Sequence, residues 1–160
     1  MFFDIGDTLG EVMMTTQPVE RLSLVVFPHV LPVLQRLREQ GFRLGLISNT
    51  GNSAASLVND ALSRAHILQF FEPQLRVYSS EVGADKSSPE IFLLAAQRAS
   101  ADPSACLFVG EDARERITAR DAGFAVCPHP TLVQDTVAGA RLQFRISCNG
   151  TAAPLRSKTD

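Results

Sequence analysis

The alternation of short apolar segments with segments of helical periodicity constrains the fold of this chain more than any other feature. Most of the apolar segments are followed by a turn and then by apolar residues at the i, i+3 and i+4 spacing of a helix. This order predicts a doubly wound, Rossmann-like α/β fold, in which a parallel sheet of five or six strands lies between two layers of helices. The predicted strands are 1–4, 42–47, 75–78, 106–109 and 124–127, with 142–146 as a candidate sixth. The predicted helices are 30–40, 53–64, one that begins near Pro89, 113–122 and a weak one at 131–138, whereas 9–27 is predicted to be irregular.

Length and composition predict one domain that binds neither nucleic acid nor membranes. At 160 residues the chain suits a single core, which we expect within residues 1–148, with the polar residues 149–160 as a flexible tail. A net charge of −2 provides no electrostatic basis for binding nucleic acid or an anionic membrane. No apolar run approaches the roughly 20 residues of a membrane span. The odd number of widely spaced cysteines and the lack of a secretory signal pattern favour a cytoplasmic location.

Reactive residues follow the first two predicted strands, at the sheet edge where such folds bind ligands. Asp4 comes directly after the first strand, and a carboxylate in that place can attack phosphorus, although Asp is also a common turn residue. Ser48 and Asn49 follow the second strand. They could hold phosphate oxygens at a helix N-terminus, or simply cap that helix.

Two further segments carry charged residues at comparable places. Lys86 precedes the helix near Pro89 and could neutralise a transferring phosphoryl group, although most lysines are solvated surface residues. Glu111 and Asp112 follow the fourth strand. They could complete an oxygen site for Mg²⁺, or they could be acids favoured by the dipole of the next helix.

Together these segments resemble the four motifs of the haloacid dehalogenase superfamily, in the same order, over most of the chain. The matching stretches are FFDIGDTL at 2–9, LISNT at 46–50, GADKSSPEIF at 83–92 and LFVGED at 107–112. The resemblance implies that Asp4 is the nucleophile, that Ser48 and Asn49 bind the phosphoryl group, and that Lys86 steadies its charge. It also implies a Mg²⁺ ion held by the Asp4 carboxylate, the Gly6 carbonyl and Glu111, with Asp112 or Glu115 assisting.

The chain departs from that pattern at two positions. Gly6 stands where phosphatases of the superfamily usually carry a second aspartate, the general acid and base, and Asp7 is one residue too late to replace it. Loss of such an acid slows phosphoryl transfer without forbidding it, because general acid–base catalysis contributes roughly 10²–10⁴-fold. Glu111 stands where an aspartate usually binds the metal, so the octahedral geometry of Mg²⁺ must accommodate one more methylene.

The resemblance also predicts a capless member, because neither 9–30 nor 50–86 is long enough for a cap domain. An open site implies a large or macromolecular phosphorylated substrate, or a lid supplied by a second subunit of a homo-oligomer. The predicted function is a Mg²⁺-dependent phosphatase that forms an aspartyl phosphate on Asp4. Two alternatives stay open: a dehalogenase- or phosphonatase-type displacement on the same residue, and a non-enzymatic domain that binds a partner.

Overall fold

The computed structural model describes residues 1–15 and 21–139. The strands are β1 (Phe2–Phe3), β2 (Gly10–Thr15), β3 (Arg21–Val26), β4 (Gly45–Ser48), β5 (Arg76–Tyr78), β6 (Leu107–Val109) and β7 (Ala125–Cys127). The helices are α1 (Val30–Glu39), α2 (Ala55–Arg64), α3 (Ser79–Val82), α4 (Glu90–Arg98), α5 (Ala113–Asp121) and α6 (133–139). Short 3₁₀ helices occupy Leu68–Phe70, Pro73–Leu75, Pro103–Ala105 and Pro130–Leu132.

Five of the strands form one parallel sheet in the order β5-β4-β1-β6-β7. The central strand β1 pairs with β4 on one side and with β6 on the other, so Asp4 leaves the sheet at the middle of its carboxyl edge. The predicted α/β fold with a parallel sheet is therefore confirmed, at five strands. The candidate strand at 142–146 and the predicted tail at 149–160 lie outside the described residues.

The sheet separates two apolar cores, which gives the predicted three layers. Neighbouring residues of a strand point to opposite faces, and Phe2 and Phe3 accordingly belong to different cores. On the face of Phe3, buried residues of the sheet pack against α1 and α2, and on the face of Phe2 they pack against α4 and α5. Gly41 ends α1 as predicted, in the left-handed conformation (φ +81°) that costs glycine little.

The segment 9–27 was predicted to be irregular, and this prediction is wrong for 10–15 and 21–26, while 16–20 lies outside the described residues. The structure forms an antiparallel hairpin there, in which Val12 pairs with Leu24 and Met14 pairs with Leu22. The strands approach closely at Gly10, where a Cβ atom would lie 2.3 Å from the carbonyl oxygen of Val25. In both strands apolar residues follow one another directly, so the alternation of apolar and polar residues that predicts a strand is not visible in the sequence. Which side chains share a face is set by the pairing of the two strands.

Among the helices of residues 1–15 and 21–139, each falls short of the length and apolar character that crossing a membrane requires.

A pair of histidines links the start of α1 to the loop after β7. The ring centroids of His29 and His129 are 4.6 Å apart, and the ring of Phe27 stacks on His29. Burial, and secondarily the nearby His129, lower the pKa of His29 below its usual value of 6.5. The folded state therefore favours neutral His29, whereas the unfolded chain takes up a proton more readily below about pH 6.5. We expect the free energy of unfolding, measured with urea, to decrease from pH 7 to pH 5, and to decrease less in His29→Phe.

The control for this prediction is His66→Asn, which removes an imidazole from the loop after α2, where the left-handed backbone (φ +57°) accepts asparagine. If His66→Asn reduces the pH dependence as much as His29→Phe does, the contact between His29 and His129 is not its source.

Candidate active site

A cleft of about 350 Å³ lies at the carboxyl edge of the parallel sheet. It is bordered by the loops after β1, β4 and β6, the segment around Lys86 and one face of the hairpin β2–β3. The cleft brings together most of the residues that the sequence analysis selected. These are Asp4, Gly6, Ser48, Asn49, Lys86 and Glu111, with Glu115 beside them.

A larger cavity of about 480 Å³ lies at the opposite, amino edge of the sheet. Its walls are mainly apolar and include Phe2, Leu107 and Ala125, near the beginnings of three strands. None of the four motif segments contributes a charged residue to it. The chemistry therefore belongs to the smaller cleft.

Lys86 lies at the centre of the cleft as a buried cation between two carboxylates. Its side chain is 2% exposed, and its Nζ lies 2.5 Å from Oδ1 of Asp4 and 2.7 Å from Oε2 of Glu115. The ring of Phe108 lies beneath, with its centroid 5.8 Å from Nζ. A lysine in such surroundings is not an ordinary surface residue, because burying its charge is costly unless the charge is paired.

Asn49 connects the loop after β4 to the segment that carries the lysine. Its Oδ1 accepts a hydrogen bond of 2.9 Å from the backbone N–H of Lys86, and its Nδ2 donates to Oε1 of Glu115 at 3.5 Å. Ser48, the last residue of β4, is buried beside the cleft. Two residues later, the backbone N–H of Thr50 donates to Oγ of Ser79 at the start of α3, a short helix that the sequence analysis did not predict.

A tight turn presents Asp4 to the cleft. The backbone N–H of Asp4 donates to the carbonyl of Val109 and so extends the pairing of β1 with β6. Asp7 adopts a left-handed conformation (φ +54°), and its N–H closes the turn on the carbonyl of Gly10. A Cβ atom on Gly6 would meet only Cγ2 of Val12 at 3.9 Å, so the space for a side chain at this position is open.

The placement of Asp112 differs from its predicted role as a metal ligand. Its carboxylate caps α5 by accepting hydrogen bonds from the backbone N–H groups of Arg114 and Glu115, and these bonds lower its pKa. It does not line the cleft. The acid directly before a helix occupies the N-cap position, whereas Glu115, almost one turn later, points into the cleft. Of the two acids considered for an assisting role, Glu115 is therefore the one whose carboxylate lies in the cleft.

The remaining acids create a negative environment around Asp4. Burial, and then the charges of Asp4, Asp112 and Asp7, raise the pKa of Glu111. Burial also raises the pKa of Glu115, and the ion pair with Lys86 only partly offsets this effect. Within the described part of the chain, no three His, Cys, Asp or Glu side chains converge on a preformed metal site. The cleft nevertheless offers hard oxygen donors next to each other, which is the chemistry that Mg²⁺ prefers.

The sequence analysis missed two residues that hold the loop after β6 in place. Thr8 is 1% exposed, and its Oγ1 accepts a hydrogen bond of 3.2 Å from the backbone N–H of Glu111. Arg116 donates from Nη1 to the carbonyls of Gly110 and Glu111 at 2.7 and 2.5 Å. Thr8 could have been selected from the sequence, because its hydroxyl lies inside the first motif. Arg116 could not, because nothing in the sequence distinguishes it from the other polar residues of its helix.

Comparison with known proteins identifies the family to which this site belongs. The model of the haloacid dehalogenase-like hydrolase family matches residues 2–123, which include all four motif segments. The chain belongs to the haloacid dehalogenase-like hydrolase family. The resemblance read from the sequence is thereby confirmed.

Relatives within this family are phosphatases by name. The chain is 36% identical to glyceraldehyde 3-phosphate phosphatase of Methanopyrus kandleri over 53% of this chain and 34% of that protein. It is 33% identical to phosphoglycolate phosphatase of Salmonella typhimurium over 65% of this chain and 38% of that protein. The chain thus spans little more than a third of the length of these curated relatives.

A solved structure supports the same fold. An uncharacterized protein from Listeria monocytogenes serotype 4b superposes with a TM-score of 0.65, covering 78% of this chain and 74% of that one, at 22% sequence identity. This likeness concerns the architecture alone. The fold of this chain is therefore shared over most of both chains.

Proposed function

We propose that this member of the family is a Mg²⁺-dependent phosphatase that forms an aspartyl phosphate on Asp4. The observation that carries the proposal is the shared cleft, in which the Asp4 carboxylate lies 2.5 Å from the buried ammonium of Lys86, beside Ser48 and Asn49. A carboxylate nucleophile, a fixed cation and polar groups for phosphoryl oxygens are the parts that phosphoryl transfer requires. The names of the curated relatives support the same reaction class.

The reaction proceeds in two displacements at phosphorus. A carboxylate oxygen of Asp4 attacks the phosphorus atom, the bond from phosphorus to the ester oxygen breaks, and the alcohol leaves with a proton from solvent. Water then attacks the phosphorus of the aspartyl phosphate, which releases inorganic phosphate and restores the carboxylate. Lys86 compensates the charge of the phosphoryl oxygens in both steps, while the Ser48 hydroxyl and the Asn49 amide orient them.

The residues present fit a magnesium ion. The Asp4 carboxylate, the Gly6 carbonyl and the Glu111 carboxylate would hold it. Burial is the main reason that the pKa of Glu111 is raised, and the charges of Asp4, Asp112 and Asp7 raise it further, which is a concentration of negative charge that a divalent cation would relieve. When bound, the ion neutralises charge on the phosphoryl oxygens. The extra methylene of Glu111 lets the carboxylate reach farther than an aspartate would.

Hydrolysis of p-nitrophenyl phosphate tests the proposal, because its leaving group departs without a proton. We expect turnover with Mg²⁺ and loss of turnover on addition of EDTA. Halide release from 2-haloacids that resists EDTA would instead support displacement at carbon. Absence of turnover across a panel of phosphate esters, together with no Mg²⁺ binding by calorimetry, would support a non-enzymatic domain that binds a partner.

We predict that Gly6→Asp raises the turnover of alkyl phosphates. The site has room for the new side chain, since an added Cβ atom meets only Cγ2 of Val12 at 3.9 Å. An acid at this position can protonate a poor leaving group, and we expect a gain of roughly tenfold to a hundredfold in kcat, below the full effect of an evolved acid. The gain with p-nitrophenyl phosphate should be much smaller.

Gly6→Asn is the matched control for this prediction, because it adds a side chain of the same shape without an acid. Equal gains in both variants would mean that the volume of the new side chain, and not its acidity, raises turnover. No gain in either would mean that the missing acid does not limit turnover.

A large phosphorylated substrate, a lid from a second copy of this chain and a cytoplasmic location stay predictions from the sequence.

A further inference from the structure

One face of the hairpin β2–β3 forms an apolar wall of the cleft. Val12, Met14 and Leu22 all line it. Met14 is paired directly with Leu22, and Val12 lies two residues before Met14, so the three side chains share one face of the two-stranded sheet. Val12 is 44% exposed and Met14 is 46% exposed, so much of this apolar surface is open to a ligand.

The wall is held in place relative to the nucleophile. An Arg64 guanidinium from α2 donates to the carbonyl of Leu22 at 2.6 Å, and α2 packs along β3. At the other end, the N–H of Phe27 donates to the carbonyl of Leu9, which ties the base of the hairpin to the turn after Asp4. The apolar surface is therefore a fixed part of the site.

The cleft consequently has two chemically different sides. Asp4, Ser48 and Lys86 form a polar pole for the phosphoryl group, and the hairpin supplies an apolar side. The two sides meet at Gly6, where the nearest side-chain atom to an added Cβ is a methyl carbon of Val12. Apolar surface beside a small set of polar groups is the usual composition of a small-molecule site.

We infer that Val12, Met14 and Leu22 bind the organic part of the substrate, and that this part is an aromatic or other apolar group adjoining the ester oxygen. The inference rests on the proposed function and names its substrate class. Two observations agree on it. The exposed side chains of Val12 and Met14, with the buried Leu22 beside them, favour a group that loses hydration on binding. Gly6 brings no proton donor, which favours phenol-like leaving groups that depart without protonation.

Binding of two unreactive phosphonates to the Mg²⁺-loaded protein tests the inference without requiring turnover. We expect 1-naphthylmethylphosphonate to bind about tenfold more tightly than methylphosphonate by calorimetry, since burying some 60 Å² more apolar surface gives about that factor. In Met14→Gln this ratio should fall at least about threefold, because an amide replaces part of the wall.

Met13→Gln is the matched control. Met13 is the adjacent residue of β2, is 50% exposed, and points to the face of the hairpin away from the cleft. The inference holds if the affinity ratio falls in Met14→Gln and stays at the wild-type value in Met13→Gln. It is overturned if the wild-type ratio is near one, or if both variants lower it equally.

The outcomes also separate this inference from the proposed function. If the affinity ratio behaves as expected but p-nitrophenyl phosphate is not hydrolysed, the apolar wall stands and the phosphatase chemistry fails. If the ester is hydrolysed but the ratio is near one, the chemistry stands and the substrate class is wrong.

Discussion

Replacing Asp4 by asparagine is expected to reduce the hydrolysis of p-nitrophenyl phosphate by at least about 10⁴-fold, because a neutral amide cannot serve as the nucleophile. Asparagine keeps the shape of the side chain, and Lys86 keeps its second partner, Glu115, whose Oε2 lies 2.7 Å from Nζ. The fold should therefore survive. Steady-state kinetics with saturating Mg²⁺ measure the loss, and trapping of the acyl phosphate by hydroxylamine should succeed in the wild type and fail in the variant.

Asp7→Asn is the control for this substitution. Asp7 borders the same cleft three residues later, and its removal lowers the local negative charge by the same amount. We expect its rate to stay within about tenfold of the wild type, because the Asp7 charge would influence the reaction only by electrostatics and not by forming a bond to phosphorus. Comparable losses in both variants would assign the effect to electrostatics and contradict a nucleophilic Asp4.

Replacing Lys86 by methionine is expected to lower kcat by about 10²–10³-fold, the usual effect of removing a group that stabilises charge in the transition state. It should also destabilise the fold by about 3 kcal/mol, because Asp4 and Glu115 would then share the cleft without their cation. Methionine keeps the length and packing of the aliphatic chain over Phe108. Urea unfolding measures the stability and steady-state kinetics measure the rate.

The double variant Lys86→Met/Glu115→Gln separates the two effects of the lysine. Removing one of the two unpaired carboxylates should restore part of the stability, whereas activity should stay low because the cation is still missing. Recovery of activity along with stability would show that Lys86 acts only by supporting the fold. Unchanged stability in Lys86→Met would contradict the buried ion pairs themselves.

Most of the fold was predictable because its elements carry local signals. The strands around Phe108 and Val126 are short apolar runs, and α1 shows helical spacing and ends at a glycine with positive φ. The hairpin β2–β3 was not predictable in this way. The pairing of Met14 with Leu22 depends on contacts between strands, and single-strand periodicity does not contain them.

The candidate site was predictable to the level of its loops but not of each side chain. The order of strands and helices indicated that Asp4, Ser48 and Lys86 meet at one sheet edge, and the structure places them in one cleft. The sequence could not decide whether Asp112 or Glu115 reaches the cleft, because both acids follow Glu111 within a few residues. That choice needed the tertiary structure. The cap geometry of α5 directs the first to backbone N–H groups and the second to Lys86.

The sequence by itself determined the family, the α/β class and most of the residues that line the cleft, since these follow from residue type, spacing and order along the chain. Only the tertiary structure decided that Lys86 is a buried cation shared by two carboxylates, and that the hairpin turns Val12 and Met14 toward the cleft. The physical reason is that burial and charge pairing depend on groups far apart in sequence, such as Asp4 and Lys86, which are 82 residues apart. Their energies arise only when the sheet brings the loops together.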